Sequence, residues 1–218
     1  MLEISLCGER LQLLPGRALY WPARRTLLIA DPHFGKAGVF RRRGVPVPAG
    51  GTGDDLRRLT ELLQSSKAER LLVLGDLVHA APDADEPWVE SLLDWRRAHE
   101  GLDVQVVAGN HDGGVATQAA DWGMNWRDEP LPDGPFLFDH EPGEDAGAYV
   151  LAGHLHPVVR LRAGGDRLRT PVCWLRPRWG VLPSFGGFTG GHPVRPAKAD
   201  RVYAMGDAAV VSLNGVTF

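Results

Sequence analysis

Five short apolar runs in this chain end in side chains able to hold a metal or move a proton: Asp31, His33, Asp76, Asn110, His111, His140, His154 and His156. Gly109-Asn110-His111-Asp112 closes the β-branched run Val104–Ala108, so an amide oxygen and a proton donor stand side by side where a strand ends. In open α/β sheets ligands collect at such strand ends. Asp31-Pro32-His33 follows Thr26–Ala30, and Gly75-Asp76 follows Arg70–Leu74. His140 follows Phe136–Phe138, and Gly153-His154-Leu155-His156 follows Tyr149–Ala152. Carboxylates, imidazoles and one amide oxygen form the donor set that divalent first-row metals take. Two such ions need a bridging carboxylate, and the lone Asp76 is the natural candidate. The Asp-x-His and His-x-His spacings let both side chains share a face on a strand, and a loop allows similar reach. Each block taken alone also reads as ordinary turn chemistry. Five of the chain's eight histidines fall in these blocks, which makes coincidence a poor account.

The runs that carry these residues read as strands separated by helices. Leu2–Leu6 and Leu11–Leu14 form an opening hairpin, Ala18–Trp21 a third strand, and Thr26–Ala30, Arg70–Leu74 and Asp103–Ala108 buried strands. Asp54–Gln64 places Leu56, Leu59, Leu62 and Leu63 on one helical face. Pro87–His99 is a second amphipathic helix with Trp88, Leu92 and Trp95 inward, and Val115–Trp122 a short third. Between the first strand and the first helix, Phe34–Gly53 reads as a long Gly- and Pro-rich loop carrying Lys36 and Arg41-Arg42-Arg43. Beyond Trp122 closely spaced strands follow: Phe136–Phe138, Tyr149–Ala152, Val158–Arg162, Leu168–Trp174, Gly180–Leu182, Arg201–Met205 and Ala208–Leu213. Gly164-Gly165 reads as a hairpin turn. An α/β first half and a β-rich second half imply two packed sheets with helices outside, in one domain spanning residues 1–218.

Composition narrows the class. The 218 residues are 44% hydrophobic and 23% charged, which is ordinary for a globular protein with a proper core. The net charge of −3 does not advertise nucleic-acid binding, so such a role would need a local basic strip or a bound metal. Cys7 and Cys173 offer no disulfide framework and fit a reducing compartment. No run reaches the length of a membrane span, and the expected location is the cytoplasm.

Asp31-x-His33, Gly75-Asp76, Gly109-Asn110-His111-Asp112, His140 and Gly153-His154-Leu155-His156 resemble, in order, the full motif set of the calcineurin-like metallophosphoesterases. The resemblance implies an αββα sandwich of two mixed sheets flanked by helices, with a dinuclear centre at one end. By position, Asp31, His33, Asp76 and His156 would hold one metal, and Asp76, Asn110, His140 and His154 the other. His111 would stay off the metals and face the substrate. His79 stands where the commonest family pattern has Asp or Arg, which points to a supporting role. A narrower resemblance covers nearly the whole chain. Asp31–Lys36, Phe40–Pro48, Gly75–His79, Asp139–Pro142, Gly153–Pro157 and Leu182–Pro193 are similar to the ligase-associated DNA-damage-response branch. That branch implies a manganese-dependent nuclease acting on DNA, single-stranded above all, in association with a DNA ligase or helicase. The ligand types suit Mn²⁺, Fe²⁺ and Zn²⁺ alike.

Two divalent ions about 3.5–4 Å apart share a water and bring its pKa toward neutrality, so a bridging hydroxide attacks in line with the leaving oxygen. His111 is the candidate general acid, since an imidazole of reference pKa about 6.5 can protonate an alkoxide. Asp112 either orients His111 or serves as an ordinary turn residue. Lys36, Arg41, Arg42 and Arg43 could reach a DNA backbone near the metals, or form a solvated cluster. His79 and His192 are further candidates for substrate contact, and Phe185, Phe188 and His192 for a base-stacking wall; aromatics in such positions are otherwise core. A hydrolase of small phosphoesters is the competing enzyme reading. A catalytically dead scaffold is disfavoured, because every ligand position is filled.

Overall fold

The computed structural model describes residues 1–47, 51–82, 86–163 and 166–216. Its first sheet has seven strands in the order β1 (Leu2–Leu6), β2 (Glu9–Leu14), β3 (Ala18–Trp21), β4 (Thr26–Ala30), β5 (Arg70–Leu74), β6 (Asp103–Val107) and β7 (Asn125–Arg127). The first four pair antiparallel and β4 to β7 pair parallel, so the sheet is mixed. The remaining strands are β8 (Leu131–Asp133), β9 (Phe136–Phe138), β10 (Tyr149–Ala152), β11 (Pro157–Ala163), β12 (Asp166–Leu175), β13 (Trp179–Val181), β14 (His192–Pro193), β15 (Arg201–Met205) and β16 (Val210–Ser212). They form the second sheet, also mixed, in the order β14-β11-β12-β13-β10-β9-β8, with β15 and β16 running on from β12. The expected two-sheet α/β sandwich is what the chain builds.

Helices α1 (Lys36–Arg42), α2 (Thr52–Ser66), α3 (Pro87–Ala98) and α4 (Ala116–Asp121) connect the strands of the parallel half. Leu56, Leu59, Leu62 and Leu63 of α2 and Leu92 and Trp95 of α3 pack on Leu27, Ile29, Leu71, Val73, Val104 and Val106. Alternate residues of the same strands, Leu28, Ala30, Leu72, Leu74 and Val107, turn to the second sheet and meet Phe136, Phe138, Leu151, Cys173 and Met205. The period of two explains why these strands read as unbroken apolar runs: both faces are covered. The outer layers are unequal. Beyond the second sheet, Val159, Val172, Val202 and Leu213 form a small cluster with Val194, built from strand and loop residues.

One stretch departs from expectation. Within the Phe34–Gly53 segment expected to be loop, residues Lys36–Arg42 form α1. This helix begins at Gly35, whose φ of 82° only glycine adopts cheaply, and buries Ala37. The Gly35 N–H donates to Thr52 Oγ1 at 3.0 Å, closing the segment onto the start of α2. The expected turn at Gly164-Gly165 lies outside the described residues, as does Pro48 of the resembling segment.

Register sets where the chemistry emerges. Ala30, Leu74 and Val107 stand side by side across β4, β5 and β6. In the second sheet Phe138 is aligned with Leu151, and Ala152 with Val181. The loops that follow therefore leave both sheets at one end of the sandwich. The chain itself links the sheets there, for Phe185 N–H donates to the Ala30 carbonyl at 2.7 Å and Ser184 Oγ to the Asp31 carbonyl at 2.7 Å.

Leu72 lies fully buried between the sheets on a central strand. Leu72→Ala is expected to lower the free energy of unfolding by about 2–5 kcal/mol, read from denaturant midpoints at constant slope.

Candidate metal centre

Five of the chain's left-handed non-glycine residues belong to this end of the molecule: Asp31 (φ 49°), His33 (47°), Asp76 (47°), His154 (67°) and His156 (45°). Such conformations cost free energy for residues with a Cβ and gather at functional sites. They turn each side chain back over its strand end. Glycines make room for the convergence. A Cβ on Gly75 would stand 1.9 Å from His140 Nδ1, and one on Gly109 would lie 2.3 Å from Asp76 Oδ1.

The side chains meet in two groups that share Asp76. In the first, His33 Nε2 lies 3.3 Å from His156 Nε2 and 3.5 Å from Asp76 Oδ2, and His156 Nε2 lies 3.6 Å from Asp31 Oδ2. One donor atom from each of Asp31, His33, Asp76 and His156 falls within 4.8 Å of the others. In the second, Asn110 Oδ1, His140 Nε2 and His154 Nδ1 form a triangle with sides of 2.9, 3.0 and 3.1 Å. His140 Nε2 also lies 3.7 Å from Asp76 Oδ1.

The tautomers follow from the carbonyls around the groups. His156 Nδ1 donates to the Gly190 carbonyl at 3.2 Å, which leaves the Nε2 lone pair aimed inward. His140 Nδ1 faces the Leu74 carbonyl at 3.5 Å and Asp31 Oδ1 at 3.6 Å, which leaves its Nε2 aimed at the triangle. Lone pairs thus face lone pairs across about 3 Å, an arrangement that a cation between them relieves. Burial makes the same demand. Asp31 has no exposed surface, and desolvation raises its carboxyl pKa above the ordinary range against the pull of His156, His140 and the His154 N–H. Burial first, then the Lys36 ammonium and neighbouring imidazoles, pushes His33 down to about 2, so its ring stays neutral and able to ligate. The donor set therefore fits two divalent transition ions.

His111 sits beside this centre and outside both groups. Its backbone N–H donates to Asp76 Oδ1 at 2.8 Å, and its Nδ1 to the His79 carbonyl at 2.9 Å, so Nε2 is the atom free to exchange a proton. The exposed ring stacks on His79 at 5.0 Å and meets His33 edge-on at 4.9 Å. His79 is held neutral, its pKa lowered to about 4 by burial and then by Lys36 and His111. Asp112 makes no hydrogen bond to the His111 ring. Its buried carboxylate accepts the N–H groups of Gly109 at 2.9 Å and Val78 at 3.0 Å and so ties two loops of the centre together. Burial outweighs those bonds and pushes its pKa up to about 6.

The basic residues divide. Lys36 is half-buried with its ammonium close enough to Asp76 and Asp31 to feel both, although burial lowers its pKa. It lines a cleft of about 10 Å³, room for one water, with His33, Thr52, Asp55, Phe188 and Thr189. Arg42 is paired with Glu86, whereas Arg41 and Arg43 are exposed at the end of α1. His192 is exposed on β14 and reaches the centre through its backbone N–H, which donates to the His156 carbonyl at 2.9 Å.

Of the two aromatics, Phe185 is core: it is fully buried against the helices with the Arg58 guanidinium 4.2 Å from its ring, so it offers no stacking wall. Phe188 is half-buried and meets Phe40 at 5.5 Å, on the cleft rim. Sequence reasoning missed Asp55 as a clamp. Its carboxylate pairs with Arg58 and accepts the Gly187 N–H at 3.0 Å, holding the Gly-rich segment over the centre. The i,i+3 spacing of Asp55 and Arg58 was the available signal.

The crystal structure of Pseudomonas putida nuclease MPE superposes with a TM-score of 0.86 at 39% identity, over 97% of this chain and 99% of that one. The Escherichia coli phosphoesterase Yfce aligns at 15% identity over 87% of this chain and 98% of that one, with a TM-score of 0.46. Among curated proteins no match is found. A family model of the calcineurin-like phosphoesterases matches residues 24–197, a span that contains every residue of both donor groups. The chain accordingly belongs to the calcineurin-like phosphoesterase family and is a metal-dependent phosphoesterase.

Proposed function

We propose that this chain, as one domain of residues 1–218, is a dimetal phosphodiesterase that cuts DNA internally, single strands above all. The observation that carries the reading is the pair of donor groups sharing Asp76, with the free Nε2 of His111 beside them. The 39% identity to a nuclease over nearly the full length of both chains supports nucleic acid as the substrate class. In this reading Asp31, His33, Asp76 and His156 hold one ion, and Asp76, Asn110, His140 and His154 the other. Manganese is the proposed metal, and Fe²⁺ or Zn²⁺ would satisfy the same donors. When bound, the ions neutralise charge on the phosphate and activate the attacking water.

The chain's own groups do the rest. Asp76 would serve both ions, and the hydrogen bond that its Oδ1 accepts from the His111 N–H ties the proposed acid to it. The His79 carbonyl holds the Nδ1 proton of His111, so Nε2 delivers a proton to the departing oxygen. Asp112 keeps the two loops in register by backbone hydrogen bonds alone. Lys36 adds positive charge beside the carboxylates, where a phosphate would arrive. Arg41, Arg43, His79 and His192 are proposed contacts to the nucleic acid. The cytoplasm and the company of a DNA ligase or helicase in repair complete the reading.

A second reading, hydrolysis of small phosphoesters, is favoured by the net charge of −3. Metal-replete protein incubated with labelled single-stranded DNA, duplex DNA and a chromogenic phosphodiester separates the two. Internal cuts in DNA, abolished by chelator, are expected; turnover of the small ester alone would establish the second reading.

Asp76→Ala should remove both ions, measured by elemental analysis, and activity with them. His111→Ala is expected to keep near-normal metal content while turnover falls about 10²–10⁴-fold. Undiminished turnover in that metal-replete variant would take the acid role from His111.

A further inference from the structure

β11 starts at Pro157, immediately after His156 of the metal centre, and runs outward as an antiparallel ribbon with β12. Its register sets Arg160 directly opposite Arg169, and the next pair of the same parity is Arg162 opposite Arg167. Like charges directly opposite on a ladder are destabilising, so such pairing needs a reason other than fold stability. Both Arg160 and Arg169 are exposed, and among the described residues no carboxylate lies within ion-pair distance of either.

Alternation fixes the face they occupy. Val159, Leu161, Val172 and their neighbours point to the outer cluster, so Arg160 and Arg169 share the opposite face with Val158 and Pro171. That face opens on a groove of about 160 Å³ whose lining includes His156 at one end and Arg169, Pro171 and Gly191 along its side. Arg169 donates to the Gly191 carbonyl, which holds its guanidinium over the groove. Arg17 also lines it, yet its charge is already met by Asp207 at 3.5 Å. At about 3.4 Å per residue, Arg160 stands roughly 14 Å along the strand from His156.

We propose that this ribbon is the track along which a nucleic-acid strand leaves the metal centre, with Arg160 and Arg169 each neutralising a backbone phosphate beyond the one cut. The inference rests on the DNA reading above and extends it to a surface well away from the ligands. A polyanion supplies the counter-charge that the arginine pair lacks. A local pair of unpaired arginines can also hold a polyanion on a chain whose net charge is −3.

The test uses the metal-replete full chain with a single-stranded oligonucleotide and a small chromogenic phosphodiester, each at several salt concentrations. The variants are Arg160→Gln with Arg169→Gln, and Arg160→Lys with Arg169→Lys. Losing two phosphate contacts should flatten the logarithmic salt dependence of oligonucleotide KM by about 1.4, at about 0.7 per contact. The ratio of oligonucleotide to small-diester activity should fall about tenfold near 0.1 M salt. The lysine pair, which keeps the charge, should restore the slope. The glutamine pair should stay folded, and because Arg169→Gln also removes the bond to the Gly191 carbonyl, the salt slope rather than Tm separates phosphate contact from a structural role. An unchanged slope and ratio in a folded glutamine variant overturns the track. A parent protein that turns over the small diester and leaves DNA intact overturns the DNA reading itself, and the track with it.

Discussion

Two carboxylates, Asp31 and Asp76, lie almost wholly out of solvent at the end of the sandwich, and among the described residues neither forms an ion pair with a lysine or arginine. Charge withdrawn from water at that depth is tolerable only when positive charge or hydrogen bonds stand against it. Here the backbone N–H groups of His154 and His111 and the facing rings of His156 and His140 supply part of the balance. The remainder is a demand for cations. That demand organises the loops above both sheets, because each ligand must reach one small volume from a different strand.

The convergence rests on alignment and on local strain. The two sheets end at the same level because β4, β5 and β6 are in register and β9 and β10 are in register. Straight continuation of those strands would carry the side chains apart. Left-handed turns at Asp31, His33, Asp76, His154 and His156 fold them back instead. Such residues are held only where the packing around them over-determines the conformation. The inter-sheet core and the Asp112 carboxylate, which ties the Gly109 loop to Val78, supply that rigidity.

Around this fixed centre the charge is uneven. α1 brings Lys36 toward the carboxylates and leaves Arg41 and Arg43 at its open end. On the other side the β11–β12 ribbon starts at His156 and carries facing arginines outward. A chain with an acidic total can thus show basic strips on both flanks of its metal centre. Net charge alone says little about such a surface.

Much of this was readable from the residues in order. Buried strands betray themselves as apolar runs, and the metal-ligating types that follow them are too concentrated to be incidental, so the sheets and the donor set were both legible. α1 was not, because seven residues among glycines and prolines carry too weak a periodicity, and the helix is held by Thr52 and the packing of Ala37. Nor were β7, β8 and β14, two or three residues long, which exist only because a neighbouring strand offers them a ladder. Phe185 illustrates the limit for side chains, since nothing local says that Arg58 and the helices will enclose it. Asp112 does the same, for its place beside His111 in sequence suggested a contact that the loop geometry gives to the His79 carbonyl. By itself the sequence determined which groups are available and that they stand at strand ends, since both are properties of residue type and short-range pattern. Only the tertiary structure decided which imidazole faces which carboxylate and at what distance, because those contacts join residues as much as 123 positions apart and arise from sheet register and packing.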